Sequence, residues 1–157
     1  TNVLRIGGKR PAAITLLGDL LKGLLPVLLA QALDASASTI GMVALAAFLG
    51  HLYPVFFGFK GGKGLATAFG VVAGMSWLAI AAMAVTWLTV AAITRYSSLS
   101  GLIAAVLAPL YLWLITAEAA LAVVGILIAL LVLVRHEANI RRLLSGTEPK
   151  IGQKKPA

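Results

Sequence analysis

The chain has 157 residues, of which 61% are hydrophobic, and a formal net charge of +8 at pH 7. Its mean hydropathy of +1.00 leaves too little polar surface to cover a soluble globule, so we predict an integral membrane protein. The absence of cysteine excludes disulfide and thiolate chemistry, and the two histidines are too far apart in sequence for a structural metal site.

The chain opens with a polar segment, residues 1 to 10, and a long helical pattern begins directly at Pro11. We expect no cleavable signal peptide before this pattern. Because position 1 is Thr and not Met, we expect that the chain lacks its natural start.

Five apolar stretches follow, at residues 12 to 33, 39 to 57, 65 to 93, 99 to 116 and 119 to 134. The third exceeds the roughly 20 residues that one membrane helix needs. If it turns at residues 74 to 76, every basic cluster falls on one side, as the positive-inside rule requires. We therefore predict an all-α polytopic membrane protein with six transmembrane helices. The helix from about 65 to 75 is unusually short, with a rise of only about 16 Å.

This topology places four polar segments on the cytoplasmic face, at residues 1–10, 58–64, 95–98 and 135–157. We see no internal repeat and no second soluble domain, so we interpret residues 1–157 as a single membrane domain. The four segments are expected to build one site at the membrane interface, where irregular backbone is tolerated if it is buried in protein or lines a wet cavity.

The second of these segments is rich in glycine and carries two cations. Gly61, Gly62 and Gly64 allow close approach of backbone N–H groups to an oxyanion, and Lys60 and Lys63 add positive charge. We predict that it binds a phosphate or an acyl phosphate. Its spacing does not fit the nucleotide-binding P-loop. The alternative is a flexible turn whose lysines only obey the positive-inside rule.

The last segment combines cations with an imidazole and an amide. Arg135, Asn139 and Arg142 lie along one helical face, and His136 flanks it. Arginine is suited to bidentate phosphate contacts, so we predict a second phosphate-binding group here, with Glu148 nearby. The alternative is a polybasic segment attracted to anionic lipid.

Three further residues are candidates for supporting roles. Asp19 and Lys22 lie three residues apart inside an apolar helix and should pair or face a polar interior, either supporting the site or as a snorkelling lysine with its counter-ion. Ser98, in the turn after Arg95, is expected to donate a hydrogen bond to phosphate, with Ser100 as the alternative donor. The alternative for that turn is a simple helix N-cap.

With these residues in view, the chain resembles the bacterial acyl-phosphate:glycerol-3-phosphate acyltransferases, the PlsY family. Residues 1 to 9 match the motif A-T-N-V-L-R-x-x-G-K from its Thr onward, and residues 50 to 67 match the second motif, with Leu65 where Val is usual. Residues 135 to 143 match R-H-x-x-N-I-x-R-L, and the Asp19-x-x-Lys22 pair also looks familial. In this family a membrane helix precedes the first motif, which would bring the total to seven.

The resemblance implies transfer of a fatty acyl group from acyl phosphate to the 1-hydroxyl of glycerol 3-phosphate. The products are lysophosphatidic acid and phosphate, in the first step of phospholipid synthesis at the bacterial inner membrane. It implies no cofactor, no metal, no nucleic acid and no obligate protein partner. The alternative is a transporter or channel for an organic phosphate, but all cations except Lys22 crowd one face, which favours the enzyme.

We assign roles as hypotheses on this basis. Lys60, Lys63 and the glycine N–H groups hold the acyl phosphate. His51 is the candidate general base, and the substrate phosphate is the alternative. The remaining assignments are Asn2, Arg5, Ser98, Arg135 and Arg142 for substrate binding, His136 and Asn139 for orienting the reacting groups, and Asp19, Lys22 and Glu148 for support.

Overall fold

The computed structural model describes residues 7–153, and within them every regular element is helical, as predicted. The α-helices are α1 (Lys9–Ala32), α2 (Ala37–Leu52), α3 (Leu65–Met75), α4 (Trp77–Thr94), α5 (Ser97–Thr116), α6 (Ala119–Arg135) and α7 (Glu137–Leu144). A short 3-10 turn, Val55–Phe57, follows α2.

The helices differ in their capacity to span a membrane. By length and composition α1, α2 with its 3-10 turn, α4 and α5 qualify as spans. Helix α6 qualifies only together with α7, to which it is joined at a 63° bend. Helix α3 has 11 residues and is too short to span alone. The predicted apolar segments are therefore all helical, and the short one has the predicted bounds.

The predicted turn between α3 and α4 is confirmed at Ser76. This residue has extended backbone angles, φ −160° and ψ 118°, and its hydroxyl caps α4 by accepting a hydrogen bond from Ala79 N at 3.2 Å. A serine also caps the N-terminus of α2, where Ser36 Oγ accepts from Thr39 N at 3.3 Å. The helical backbone is therefore interrupted at Ser76, and α3 and α4 are two helices.

Helix α3 lies in the centre of the bundle, where most of its residues are buried. It packs closely along α1 through glycines on both helices. A Cβ on Gly23 would lie 2.6 Å from Thr67 O, and a Cβ on Gly74 would lie 2.6 Å from Val27 Cβ. Small residues permit such close approach between membrane helices. Because α3 is enclosed by protein, its shortness exposes little backbone to lipid.

Contacts at one end of the bundle join three of the four predicted polar segments. Arg135 reaches the loop before α3 through Gly61 O at 2.8 Å. The chain after α7 reaches the α4–α5 turn, where Ile151 N donates to Arg95 O at 2.7 Å. The N-terminal segment is described only from residue 7 onward. The basic loops after α2, α4 and α6 thus converge on one face.

Candidate active site

The 61–64 loop is built against the end of α2. Gly61 N donates to Leu52 O at 3.2 Å, and Gly64 N donates to His51 Nε2 at 3.2 Å. A Cβ on Gly61 would collide with the carbonyl oxygens of His51 and Leu52, and one on Gly62 would lie 2.5 Å from His51 Nε2. Glycine is therefore required here for packing. The amides of Gly61 and Gly64, predicted to bind an anion, donate within the protein instead.

Arg135 fixes the same loop from the end of α6. Its Nη2 donates to Gly61 O at 2.8 Å and to Gly62 O at 3.1 Å, and its Nε donates to Gly62 O at 3.2 Å. The guanidinium also lies 5.9 Å from the centre of the Tyr53 ring. The sequence predicted a phosphate contact for Arg135, but here its donors are directed at loop carbonyl groups. Arg135 therefore holds the 61–64 loop against the end of α6.

A chain of side-chain hydrogen bonds crosses the site. Lys63 Nζ donates to Asn139 Oδ1 at 2.5 Å, and Asn139 Nδ2 donates to Glu148 Oε1 at 2.7 Å. Arg142 Nε completes it by donating to Glu148 Oε2 at 2.7 Å. Asn139 and Glu148 are buried. Since an ammonium only donates and a carboxylate only accepts, this orientation of the Asn139 amide is the one that satisfies both neighbours.

Glu148 is kept ionised by its neighbours. Burial by itself would raise the pKa of Glu148, but the Ser98 hydroxyl, the Asn139 amide and the charged Arg142 together lower it below its usual value. The Ser98 hydroxyl is buried and has no partner with good hydrogen-bond geometry, so its effect is that of a nearby dipole. The sequence predicted that Ser98 would face phosphate, whereas the structure places it beside this carboxylate.

His136 lies at the bend between α6 and α7 and is buried. Its Nδ1 is 2.8 Å from Val132 O. Because a carbonyl oxygen can only accept, Nδ1 carries the proton of the neutral ring, and Nε2 keeps a lone pair. Lys63 lies close enough to act electrostatically on this ring. His136 thus keeps a hydrogen-bond acceptor at Nε2.

Asp19 and Lys22 pair as predicted, with Lys22 Nζ donating to Asp19 Oδ1 at 2.7 Å. The same oxygen lies 3.5 Å from His51 Nδ1. The pair therefore lies next to the histidine that holds the 61–64 loop. Periodicity within α1 indicated the Asp19–Lys22 contact, but no local signal pointed to His51 on another helix.

The two loop lysines have different surroundings. Lys63 is half-buried and belongs to the hydrogen-bonded chain, whereas Lys60 is exposed. Asn2 and Arg5, predicted to bind substrate, lie outside the described residues. Sequence reasoning also missed the tail: Arg95 Nη2 donates to Ile151 O at 3.1 Å, and Lys150 lies 5.6 Å from the centre of the Tyr96 ring. No local pattern predicts contacts between segments so far apart in the chain.

Comparison with known proteins identifies the family of the chain. Residues 1–146 match the family model described as glycerol-3-phosphate acyltransferase. The chain is 61% identical over 155 residues to the glycerol-3-phosphate acyltransferase of Thioalkalivibrio sulfidiphilus, covering 98% of this chain and 76% of that protein. It is 52% identical over 155 residues to the one from Methylococcus capsulatus, covering 99% of this chain and 78% of that protein.

Two crystal structures have the same fold. Both are of PlsY (YgiH), an integral membrane glycerol 3-phosphate acyltransferase, and both are 39% identical to this chain and cover 96% of it. The glycerol 3-phosphate form has a TM-score of 0.91, over 76% of that chain. The lysophosphatidic acid form has a TM-score of 0.90, over 78% of that chain.

Proposed function

The chain belongs to the glycerol-3-phosphate acyltransferase family and is a multi-pass integral membrane enzyme, and we propose that its acyl donor is an acyl phosphate and its acceptor the 1-hydroxyl of glycerol 3-phosphate. The family inferred from the three motifs is thereby confirmed. The product is lysophosphatidic acid, the molecule bound in one of the related crystal structures. The family match favours this activity over transport of an organic phosphate.

The observation that carries the proposal is the hydrogen-bonded chain from Lys63 to Arg142. The partner of Lys63 in this chain, the Asn139 amide, is neutral, and the carboxylate of Glu148 lies one step further away and is paired with Arg142. The Asn139 amide therefore positions the Lys63 ammonium without adding a negative charge of its own. With Arg135 and Lys60 nearby, the described part of the site has an excess of positive charge, which suits two phosphorylated substrates.

The chemistry requires no covalent acyl enzyme. Acyl phosphate is a mixed anhydride, so the hydroxyl oxygen of glycerol 3-phosphate attacks the acyl carbon directly and forms the ester bond. The bond from that carbon to the phosphate oxygen breaks, and the hydroxyl proton ends on the departing phosphate. Positioning and charge stabilisation suffice for such a step, and we assign them to Lys63 and the amide of Gly62.

Two groups are assigned to the acceptor. We assign the lone pair on His136 Nε2 to accepting a hydrogen bond from the attacking hydroxyl and so to orienting it, because Nδ1 is held by Val132 O. Arg142 donates to Glu148 through Nε only. Since the Arg142 side chain is 41% exposed, we assign its Nη groups to the phosphate of glycerol 3-phosphate. Asn2 and Arg5, from the first sequence motif, are proposed to complete that phosphate site.

Charge distribution also suggests the orientation of the protein. The basic residues of the described loops cluster at one end of the bundle, and the positive-inside rule assigns that end to the cytoplasm. We propose a bacterial inner-membrane location with this face in the cytoplasm. Glycerol 3-phosphate then enters from water, while the acyl chain of the donor stays in lipid.

The test is an assay of the purified chain in lipid vesicles with glycerol 3-phosphate and one donor at a time, acyl phosphate or acyl-CoA. We expect lysophosphatidic acid from acyl phosphate only, esterified at the 1-hydroxyl. Product from acyl-CoA would overturn the donor assignment. With the Thioalkalivibrio enzyme active in parallel, no product from either donor would overturn the proposed activity, and phosphate uptake into the vesicles without acyl product would point to transport.

A further inference from the structure

We propose that Asp19 and His51 form a positioning pair that sets the 61–64 loop, and that His51 does not act as the general base. This inference rests on the proposed function only in naming the reaction that the loop serves. It changes the role predicted for His51 from the sequence, and it extends the predicted support by Asp19 to a named contact.

One nitrogen of the His51 ring makes a hydrogen bond among the described residues, and the other, Nδ1, is buried without a hydrogen-bond partner. The ring is buried, and Nε2 accepts from Gly64 N at 3.2 Å, so Nδ1 carries the proton of the neutral ring. That proton faces Asp19, whose Oδ1 is 3.5 Å from Nδ1. The distance is longer than a normal hydrogen bond and is an electrostatic contact that favours this tautomer. Asp19 thus selects the ring form that can accept from Gly64.

The loop is shaped around this ring. A Cβ on Gly62 would lie 2.5 Å from His51 Nε2, so no side chain fits between the loop and the imidazole. Gly64 has φ +81° and directly precedes α3, and Lys63 is its neighbour in sequence. The hydrogen bond from Gly64 N to His51 therefore fixes the position of the loop backbone at the residue next to Lys63. In this way His51 acts on Lys63 through the backbone.

The same geometry argues against base catalysis by His51. To accept a proton from substrate, Nε2 would first have to release the Gly64 amide. In the resulting imidazolium, the Nε2–H of His51 would face the backbone N–H of Gly64. The buried Gly64 amide would then have no acceptor. In His136, by contrast, Nδ1 lies on a carbonyl oxygen, and no described hydrogen bond occupies the Nε2 lone pair.

Substitution by glutamine separates the two roles. In His51→Gln the side-chain oxygen can still accept from Gly64 N, but an amide cannot serve as a base. We expect His51→Ala to raise the KM for the acyl donor about tenfold, and His51→Gln to stay within about threefold of the parent chain. The shape of the pH profile of kcat/KM should be the same in the parent and in both variants.

Hydrogen exchange of the peptide covering residues 61–64 gives a readout that does not depend on turnover. We expect faster exchange in His51→Ala and in Asp19→Ala, and little further change when both are combined, because the two residues act as one unit. The matched control is Thr86→Val, which removes a 2.6 Å hydrogen bond to Tyr111 between α4 and α5 and should leave exchange in the loop unchanged.

Equal loss of kcat in His51→Gln and His51→Ala, with loss of the acidic limb of the pH profile in both, would overturn the proposal. Unchanged loop exchange in His51→Ala would also overturn it. If His51→Ala does not fold, the glutamine variant and Asp19→Ala keep both tests available. If hydrogen exchange in the loop changes as expected but the protein shows no turnover, the positioning pair stands and only the proposed activity is rejected.

Discussion

Lys63 Nζ and Asn139 Oδ1 are joined by a 2.5 Å hydrogen bond between residues 76 positions apart in the chain. Asn139 can make this contact because its amide also donates to Glu148 on the other side. A side-chain amide can accept from an ammonium and donate to a carboxylate at once. The relationship therefore explains why an asparagine stands between a lysine and a glutamate.

Asn139→Asp should inactivate the enzyme although it preserves size. The new carboxylate would pair with Lys63 and reduce its effective charge, and its second oxygen would face Glu148 Oε1 at the distance now bridged by an N–H group. We expect a fall in kcat/KM of at least about tenfold and a lower melting temperature. Steady-state kinetics and thermal unfolding in detergent measure both. Activity equal to that of the parent chain would show that the neutral amide is not needed.

Arg135→Lys should weaken binding of the acyl donor. The guanidinium spans the carbonyl groups of Gly61 and Gly62 with two nitrogens, a contact that a single ammonium cannot reproduce. We expect KM for the acyl donor to rise about tenfold. The matched control is Arg141→Lys, whose exposed pair with Glu137 should matter little to activity or stability. Equal effects of the two substitutions would contradict the role of Arg135 in holding the 61–64 loop.

Gly62→Ala should displace the loop. The added Cβ would lie 2.5 Å from His51 Nε2, so either the ring or the loop must move. We expect a loss of about 1–3 kcal/mol in stability and a large fall in activity. Gly50→Ala provides the comparison, because a methyl group added to this nearby glycine on α2 would have no atoms within 4 Å and should be tolerated. A Gly62→Ala enzyme with normal kinetics would refute the packing argument.

Acid should destabilise the protein through Glu148. Because folding lowers the pKa of this carboxyl, its ionised form stabilises the fold above the usual value of 4.5, and this stabilisation is lost as pH falls through the folded-state pKa. We expect the melting temperature to fall between about pH 5 and pH 3 more steeply in the parent chain than in Glu148→Gln.

The control for this experiment is Glu137→Gln, which alters an exposed carboxyl paired only with Arg141 among the described contacts. Its melting temperature should follow the parent curve over the same pH range. If Glu148→Gln and the parent chain lose stability in parallel, the acid sensitivity arises elsewhere in the molecule.

Local sequence signals were enough to predict the helical membrane fold, the short α3, its end near Ser76 and the Asp19–Lys22 pair. These features depend on local signals: apolar length, capping residues, and side chains three positions apart on one helix. The motifs also indicated the family, because residue types at close spacing are readable without a structure.

The contacts of the polar residues in the site could not be predicted from the sequence. The sequence assigned Arg135 and Ser98 to phosphate and His51 to proton transfer, whereas the structure places them on loop carbonyl groups, beside Glu148 and on Gly64 N. The physical reason is that helix packing brings these partners together from distant parts of the chain. Buried donors and acceptors then pair with whatever neighbour the packing supplies.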